Sequence, residues 1–221
     1  MAYDGTSGTL LWEVAPSQPV HAVSAITRAG QLAVTQSDGP LLILDVLDGS
    51  TIETIDAVRG LEPSPNQDLA VAWDDGGASM VSLGPWTVGR RLPLDGWDLL
   101  AVAFGSELVL VSTMADAESS AVYLLDATGA LVWKRVLPSG CSAPRLGFDV
   151  GTSEWLAVVH DSEQRAPDRL VRLSADGSVR RSVEIGSAAD YAFVRRGQLL
   201  VSPADALDTA TGRVVARLIM D

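Results

Sequence analysis

The feature of this sequence that most constrains its fold is a hairpin that recurs along the chain. Its clearest copy spans residues 121–137, where an apolar run leads into the turn Asp-Ala-Thr-Gly (residues 126–129) and a second apolar run leads out. An aspartate at the first turn position can accept a hydrogen bond from the backbone two residues on, and a glycine at the fourth adopts the positive φ that such turns require. Each copy therefore predicts two antiparallel strands joined by a tight turn.

The copies recur about every 41 residues, and this spacing predicts the architecture. The turn glycines lie at positions 8, 49, 129, 177 and 212, and a degenerate copy at residues 80–86 fills the gap between 49 and 129. Repeats of this length are typical of β-propeller blades, and no window shows sustained helical periodicity. The sequence predicts an all-β fold, a β-propeller of four-stranded antiparallel blades with five full blades plus an N-terminal half blade.

The predicted boundaries give a single domain over residues 1–221. It comprises an N-terminal hairpin and five blades, at 1–15, 20–57, 58–94, 97–137, 144–185 and 189–219. Five and a half blades leave two alternatives, because closure of the ring protects the edges of its sheets. Either the ring closes with a half-size blade, or Met1 is an internal start and further blades precede it. The second alternative is favoured, because the last repeat supplies its own outer strand.

Composition limits the classes of partner. Hydrophobic residues make up 47% of the chain and charged residues 20%, which is typical of a packed globular protein. The net charge of -12 predicts that the protein does not bind nucleic acid, because no surplus of basic side chains is present to bind phosphates. Residues 1–110 carry four arginines against 14 acidic side chains. This acidic half is either a solvated surface or a docking surface for a basic partner.

Three observations bear on the compartment. Cys141 is the single cysteine, so the fold does not depend on an internal disulfide. No stretch approaches the roughly 18 uninterrupted apolar residues of a membrane span, and the first residues resemble no signal peptide. We expect no membrane span and a cytoplasmic protein as the sequence is written, or a periplasmic or extracellular one if Met1 is an internal start.

One cluster contains residue types suited to metal binding or acid–base chemistry, namely His160 and Asp161 with Glu163. The chain has two histidines, and they lie in different repeats without the close pairing of a metal motif. A histidine at a strand end beside a polar loop is usually solvated. We therefore expect no catalytic residues, no cofactor-binding residues and no metal ligands, and a protein that is not an enzyme.

Three copies of the hairpin resemble the repeat of PQQ-like propellers, in which Leu-Asp and Thr-Gly precede a tryptophan. These copies are residues 3–12, 125–133 and 206–212, and the last of them lacks the tryptophan. Residues 63–70, Pro-Ser-Pro-Asn-Gln-Asp-Leu-Ala, are similar to an element of WD40-like blades. The resemblance implies a quinoprotein-type propeller, a fold that serves redox enzymes and assembly scaffolds alike. The resemblance implies that a quinoprotein dehydrogenase would need a calcium site, a catalytic carboxylate and planar groups that stack on the quinone, usually with two adjacent cysteines and eight blades. Cys141 is alone, and the chain is too short for eight blades.

The tryptophans of the repeat have a physical role that does not depend on the resemblance. Trp12 and Trp133 each lie four residues after a turn glycine. At that position a large apolar ring would fill the gap between neighbouring blades. Both are therefore predicted to be core residues and not a platform for a cofactor.

The function predicted from these features is a non-enzymatic platform that binds protein partners. Loops on one face of a propeller are its usual contact surface, and the polar insertions here are residues 114–120 and 160–168. The candidate contact residues are Asp116, Glu118, His160, Asp161, Glu163, Arg165 and Asp168.

Three alternatives accompany this prediction. The chain could be a truncated fragment of a larger exported PQQ-like-repeat protein, a sensor, scaffold or enzyme whose active part lies elsewhere. A small ligand could bind in the central channel, although the small apolar innermost strands near residues 101–103 and 146–148 count against it. Open blade edges also predict self-association.

Overall fold

The computed structural model of the chain describes most of its residues, and all regular structure in them is β. The described ranges are 2–3, 6–26, 30–36, 39–56, 58–65, 68–83, 86–94, 98–114, 119–161, 167–185, 191–194, 197–201 and 205–217. Among these residues, none forms a helix with the length and apolarity needed to cross a membrane.

Alternating apolar residues bounded by turn residues give 22 strands in the described part of the chain. They are β1 (Ala2–Tyr3), β2 (Leu10–Trp12), β3 (Val20–Ile26), β4 (Gln31–Gln36), β5 (Leu41–Asp45), β6 (Thr51–Ile55), β7 (Gly60–Pro63), β8 (Leu69–Asp74), β9 (Gly77–Leu83), β10 (Trp86–Arg91), β11 (Asp98–Phe104), β12 (Leu108–Met114), β13 (Ser120–Asp126), β14 (Leu131–Val136), β15 (Cys141–Asp149), β16 (Glu154–Asp161), β17 (Arg169–Leu173), β18 (Val179–Glu184), β19 (Ala192–Val194), β20 (Leu199–Val201), β21 (Asp205–Asp208) and β22 (Val214–Arg217).

The strands form five antiparallel sheets of four strands and one sheet of two. Each four-stranded sheet is a meander in chain order: the first blade is β3–β6, the second β7–β10, the third β11–β14, the fourth β15–β18 and the fifth β19–β22. The half blade is the pair β1–β2. These sheets confirm the predicted fold class. In the fourth blade β15 begins at Cys141, three residues before the predicted start at 144.

The chain divides into two compact units, Met1–Arg91 and Leu92–Asp221. Each unit is defined by its own internal packing. The division therefore does not test the single domain predicted over residues 1–221, which stays a prediction. In the first unit, a core forms between the first and second blades. It is built from Ile26, Ala33, Leu41 and Ile43 on one sheet and from Leu61, Ala70, Ala72, Val81 and Leu83 on the other.

The second unit contains two further cores. One lies between the third and fourth blades around the buried side chains of Leu124 and Trp155. The other lies between the fourth and fifth blades around Leu170, Tyr191 and Leu200. Stacked sheets that share their inner faces are the packing of a propeller, in which each blade buries its apolar face on the next.

The turn chemistry predicted for the repeated hairpin is confirmed. In the third blade the carboxylate of Asp126 accepts hydrogen bonds from the backbone N–H groups of Thr128 and Ala130, at 2.8 and 2.9 Å. Asp208 accepts in the same way from the N–H of Thr211, at 2.7 Å. The turn glycines 8, 49, 129, 177 and 212 all have positive φ, between 69° and 80°.

After three of the turn glycines, neighbouring sheets are joined by the residue four places further on, and we call this place in each repeat the docking position. Trp12 occupies it in the half blade, and its indole N–H donates to the backbone oxygen of Val46 in the next turn, at 2.9 Å. Trp133 occupies it in the third blade and donates to the backbone oxygen of Ala175, also at 2.9 Å. Both rings therefore lie between neighbouring sheets, but each is only partly buried. Trp133 packs at the margin of the core between the third and fourth blades, and neither ring is the core residue that the sequence predicted.

The tryptophan rings lie directly on the glycines of the turns that they contact. A Cβ atom at Gly49 would come within 2.6 Å of the Trp12 ring, and one at Gly177 within 2.9 Å of the Trp133 ring. Real Cβ atoms do not approach other heavy atoms so closely. The repeat therefore requires glycine for two reasons: for its positive φ and for the ring that packs on it.

In the fourth blade an arginine takes the place of the tryptophan. Arg181 lies four residues after Gly177, and its guanidinium donates to the backbone oxygens of Ala210 and Thr211 in the turn of the fifth blade. Both partners of Arg181 in this contact are backbone carbonyls. Either an indole or a guanidinium at the docking position can therefore bond to the turn of the next blade.

Candidate partner-binding surface

The strand ends that flank the two polar insertions lie at the same end of adjacent blades. In a four-stranded meander, the connection between the second and third strands lies at the opposite end of the sheet from the other two connections. In the third and fourth blades these connections are residues 115–119 and 162–168. The hydroxyl of Ser112 donates to the backbone oxygen of Ala143 at 2.6 Å and joins the two blades at this end. We call this end of the two blades the loop edge.

A histidine–aspartate pair holds the base of the longer insertion. Nδ1 of His160, at the end of β16, lies 2.7 Å from a carboxylate oxygen of Asp168, which precedes β17. The side chain of Asp168 is 5% exposed and that of His160 is 40% exposed. The backbone oxygen of Asp168 also accepts a hydrogen bond from the N–H of Ile185, at 2.8 Å. The insertion therefore begins and ends at a fixed point.

This pairing determines what His160 can offer to a partner. With the Nδ1 proton directed at Asp168, the neutral ring presents Nε2 as a hydrogen-bond acceptor, and the protonated ring presents it as a donor. A buried carboxylate that orients an imidazole also fixes the direction of that second nitrogen. His160 is thus a pre-oriented polar group at a half-exposed position.

The predicted contact residues fall into two groups in the structure. His160, Asp161 and Asp168 lie together at the base of the insertion, with Asp161 and Asp168 buried. The other four, Asp116, Glu118, Glu163 and Arg165, lie outside the described residues. Asp161 is opposite Cys141 in the ladder of β15 and β16. Strand register is the reason that His160 and Asp168, eight residues apart in sequence, become neighbours.

A serine completes a row across the fourth blade that sequence reasoning did not identify. Ser142 on β15 is directly opposite His160 on β16, and His160 in turn contacts Asp168, the residue before β17, so the three residues form a row. In the part of the chain that the structure describes, no hydrogen bond joins the Ser142 hydroxyl to the imidazole. The row therefore lacks the contact between nucleophile and base on which serine hydrolases depend.

A buried electrostatic cluster lies at the opposite end of the fourth blade and surrounds Arg172. Its guanidinium is 2.6 Å from a carboxylate oxygen of Asp149 and 2.7 Å from one of Glu154. It also donates to the hydroxyls of Thr152, at 2.8 Å, and of Thr209 in the fifth blade, at 3.4 Å. The cluster is a structural link between two blades. The sequence signal that could have revealed this cluster is Arg172 itself, a charged residue at a core position of the apolar strand β17.

Acid is expected to weaken this cluster. Burial raises the pKa of the Asp149 carboxyl, but hydrogen bonds from Arg172, Thr152 and the N–H of Gly151, with the charge of Arg172, hold it below its ordinary value of 3.8. A carboxyl whose pKa is lowered in the folded state stabilises the fold above its unfolded pKa, and this contribution is lost as the pH falls through the folded pKa. We expect the Asp149→Asn variant to be less stable than the parent at pH 7.

The measurement is urea denaturation of both proteins at pH 7 and at several values below 3.8. The difference in their free energy of unfolding should shrink as the pH falls, because protonation removes from the parent the charge that the variant already lacks. A difference that is the same at pH 3 as at pH 7 would contradict the role of Asp149.

Potential metal ligands are not clustered in the described ranges. Among those residues, no group of three or more histidine, cysteine, aspartate or glutamate side chains is arranged so that it could hold a metal ion. Cys141 is partly buried.

The stacked four-stranded meanders define the chain as a β-propeller protein. No protein-family model matches it, and a comparison with curated proteins found no match. Among solved structures, it is similar to dihydro-heme d1 dehydrogenase NirN in complex with DHE, with a TM-score of 0.65 and 17% sequence identity. The match covers 93% of this chain and 47% of that one, so the chain spans about half the length of the protein it matches. At this identity the likeness concerns the fold alone.

Proposed function

We propose that this protein is a non-enzymatic β-propeller that binds protein partners through the loop edge. The observation that supports this most strongly is the His160–Asp168 pair at the base of the longer insertion. A buried carboxylate orients a half-exposed imidazole there, and ordering of a contact group before binding reduces the entropic cost of binding. The Ser112–Ala143 hydrogen bond joins the third and fourth blades at this same end.

We also propose that the repeats are of the PQQ-like type. The support is the docking position, where Trp12 and Trp133 each bond to a backbone oxygen of the next turn and pack on its glycine. An aspartate three or four residues before the turn glycine and a tryptophan four residues after it form the sequence pattern that accompanies this contact. Ala216 holds the docking position of the fifth blade, so the pattern is not uniform along the chain.

Site-specific photo-crosslinking tests the proposed surface. A photoreactive amino acid is placed at Ser119 or at Pro167, two exposed positions of the loop edge. It is placed in a matched control at Val150, which is 50% exposed at the opposite end of the fourth blade. We expect a defined cross-linked partner in cells of the source organism from Ser119 and Pro167 and not from Val150, because only the first two lie on the proposed contact surface.

The captured protein is then purified and its affinity measured against His160→Ala. Loss of the oriented imidazole should weaken binding by about tenfold, the usual effect of one well-placed interfacial hydrogen bond to a potentially charged group. Equal cross-linking from Val150, or unchanged affinity of the His160→Ala variant, would contradict the proposal.

A further inference from the structure

The docking position of the first blade is occupied by a glutamate. Glu53 lies four residues after Gly49, and in the ladder of β5 and β6 it is opposite Ile43. Trp133 is opposite Leu124 in the third blade in the same way. Ile43 and Leu124 are both core residues, so Glu53 lies on the sheet face that packs against the second blade.

A cavity lies beside Glu53, where a tryptophan at that position would pack. Its volume is about 70 Å³, and besides Glu53 it is lined by Ile26, Gln31, Ile43, Ile52, Leu83 and Trp86. It opens to solvent at Ile52, which is 49% exposed, and at Glu53, which is also exposed. No hydrogen bond or ion pair of the Glu53 carboxylate is found within the described ranges.

The chemistry of the walls favours a flat cation. A carboxylate at the mouth pairs with a guanidinium through two parallel hydrogen bonds, and an indole attracts a cation placed over its face. The aliphatic walls can cover the methylene groups of the same side chain. This chain offers an internal precedent, because the guanidinium of Arg181 occupies the docking position of the fourth blade and bonds to the next turn.

We propose that the cleft between the first and second blades binds an arginine side chain of a basic protein partner. The arginine takes up the space that corresponds to the one filled by Trp12 and Trp133 at their docking positions, with its guanidinium between the Glu53 carboxylate and the Trp86 ring. The charge of the unit matches such a partner, since residues 1–91 carry four arginines against 11 acidic side chains. The cleft is a second binding site, and it does not depend on the loop edge in the other unit.

Nuclear magnetic resonance of the full chain with labelled isoleucine methyl groups tests this site. Three of the six isoleucines, Ile26, Ile43 and Ile52, line the cavity, whereas Ile185 lies in the other unit and serves as an internal reference. The probe is the peptide acetyl-Gly-Arg-Gly-amide. We expect it to shift the three lining methyl signals in a saturable way and to leave that of Ile185 unchanged.

The decisive variant is Glu53→Gln. It removes the charge of an exposed side chain, and we expect it to leave the stability of the fold unchanged. It should weaken arginine-peptide binding by about tenfold or more, since the hydrogen bonds to an ionised carboxylate are lost. The matched control Glu184→Gln makes the same charge change on an exposed strand of the other unit and should bind as the parent does. Equal binding by the Glu53→Gln variant would overturn the proposal, as would the absence of shifts in the lining methyls.

Two further peptides test the chemical class. Replacement of arginine by citrulline, its neutral isostere, should abolish the shifts, because the ion pair and the attraction to the indole both require a cation. Lysine should bind several-fold more weakly than arginine, because its compact ammonium cannot form the two parallel hydrogen bonds. A citrulline or lysine peptide that bound as tightly as the arginine peptide would overturn the assignment of this cleft to arginine.

Discussion

Arg172→Ala is expected to lower the free energy of unfolding by about 3–5 kcal/mol, the usual effect of removing one partner from a buried ion pair. The side chains of Arg172 and Asp149 are each 5% exposed. Without the guanidinium, Asp149 is left as a buried and uncompensated charge, and the link to Thr209 in the fifth blade is lost. The measurement is urea denaturation at pH 7 followed by circular dichroism.

Arg181 provides the matched control for this prediction. It is directly opposite Arg172 in the ladder of β17 and β18 and also bonds to the fifth blade, but its side chain is exposed. Arg181→Ala should cost about 1 kcal/mol or less. The double variant Arg172→Met with Asp149→Asn removes the buried pair and leaves only the partly exposed Glu154 carboxylate without its partner, so it should recover part of the lost stability. If Arg172→Ala and Arg181→Ala were equally mild, the buried cluster would not hold the two blades together.

Trp133→Ala is expected to lower the free energy of unfolding by about 3 kcal/mol, because it leaves a cavity between the third and fourth blades. The ring packs against the core between these blades, lies on Gly177 and donates to the backbone oxygen of Ala175. Trp133→Phe keeps most of the packing and loses the hydrogen bond, so it should cost about 1 kcal/mol.

The neighbouring Val132 is the control for Trp133. It lies on the same strand with its side chain on the other face, 51% exposed. Val132→Ala should change the free energy of unfolding by no more than about 0.5 kcal/mol, as surface substitutions usually do. A Trp133→Ala variant as stable as Val132→Ala would show that the docking position does not stabilise the contact between blades.

The hairpin turns and their spacing were predictable because they depend on local chemistry. A carboxylate such as that of Asp126 meets its N–H partners within four residues, and the glycine is required by a local backbone angle. The spacing of these turns then fixed the number of strands per blade. The position of Trp133 between blades was also predictable, since it repeats at a constant distance from the turn.

The contacts of the polar side chains were not predictable, because they depend on register and on packing between sheets. Arg172 meets partners 18 to 37 residues away in sequence. His160 and Asp168 are neighbours only because of the register between β16 and β17, which the length of an intervening insertion does not reveal. The cavity beside Glu53 became evident only once its docking position could be compared with those of Trp133 and Arg181.

Every described docking contact runs in the same direction, from an outer strand to the turn of the sheet that follows it in the chain. Trp12, Trp133 and Arg181 all reach forward in this way. During synthesis on the ribosome, each of these side chains is therefore in place before the hairpin that receives it has emerged. Assembly can then proceed sheet by sheet along the chain, because the side chain that binds each new hairpin is already present when that hairpin forms. A purified chain that refolds from urea lacks this order and should be more prone to aggregate than the nascent one.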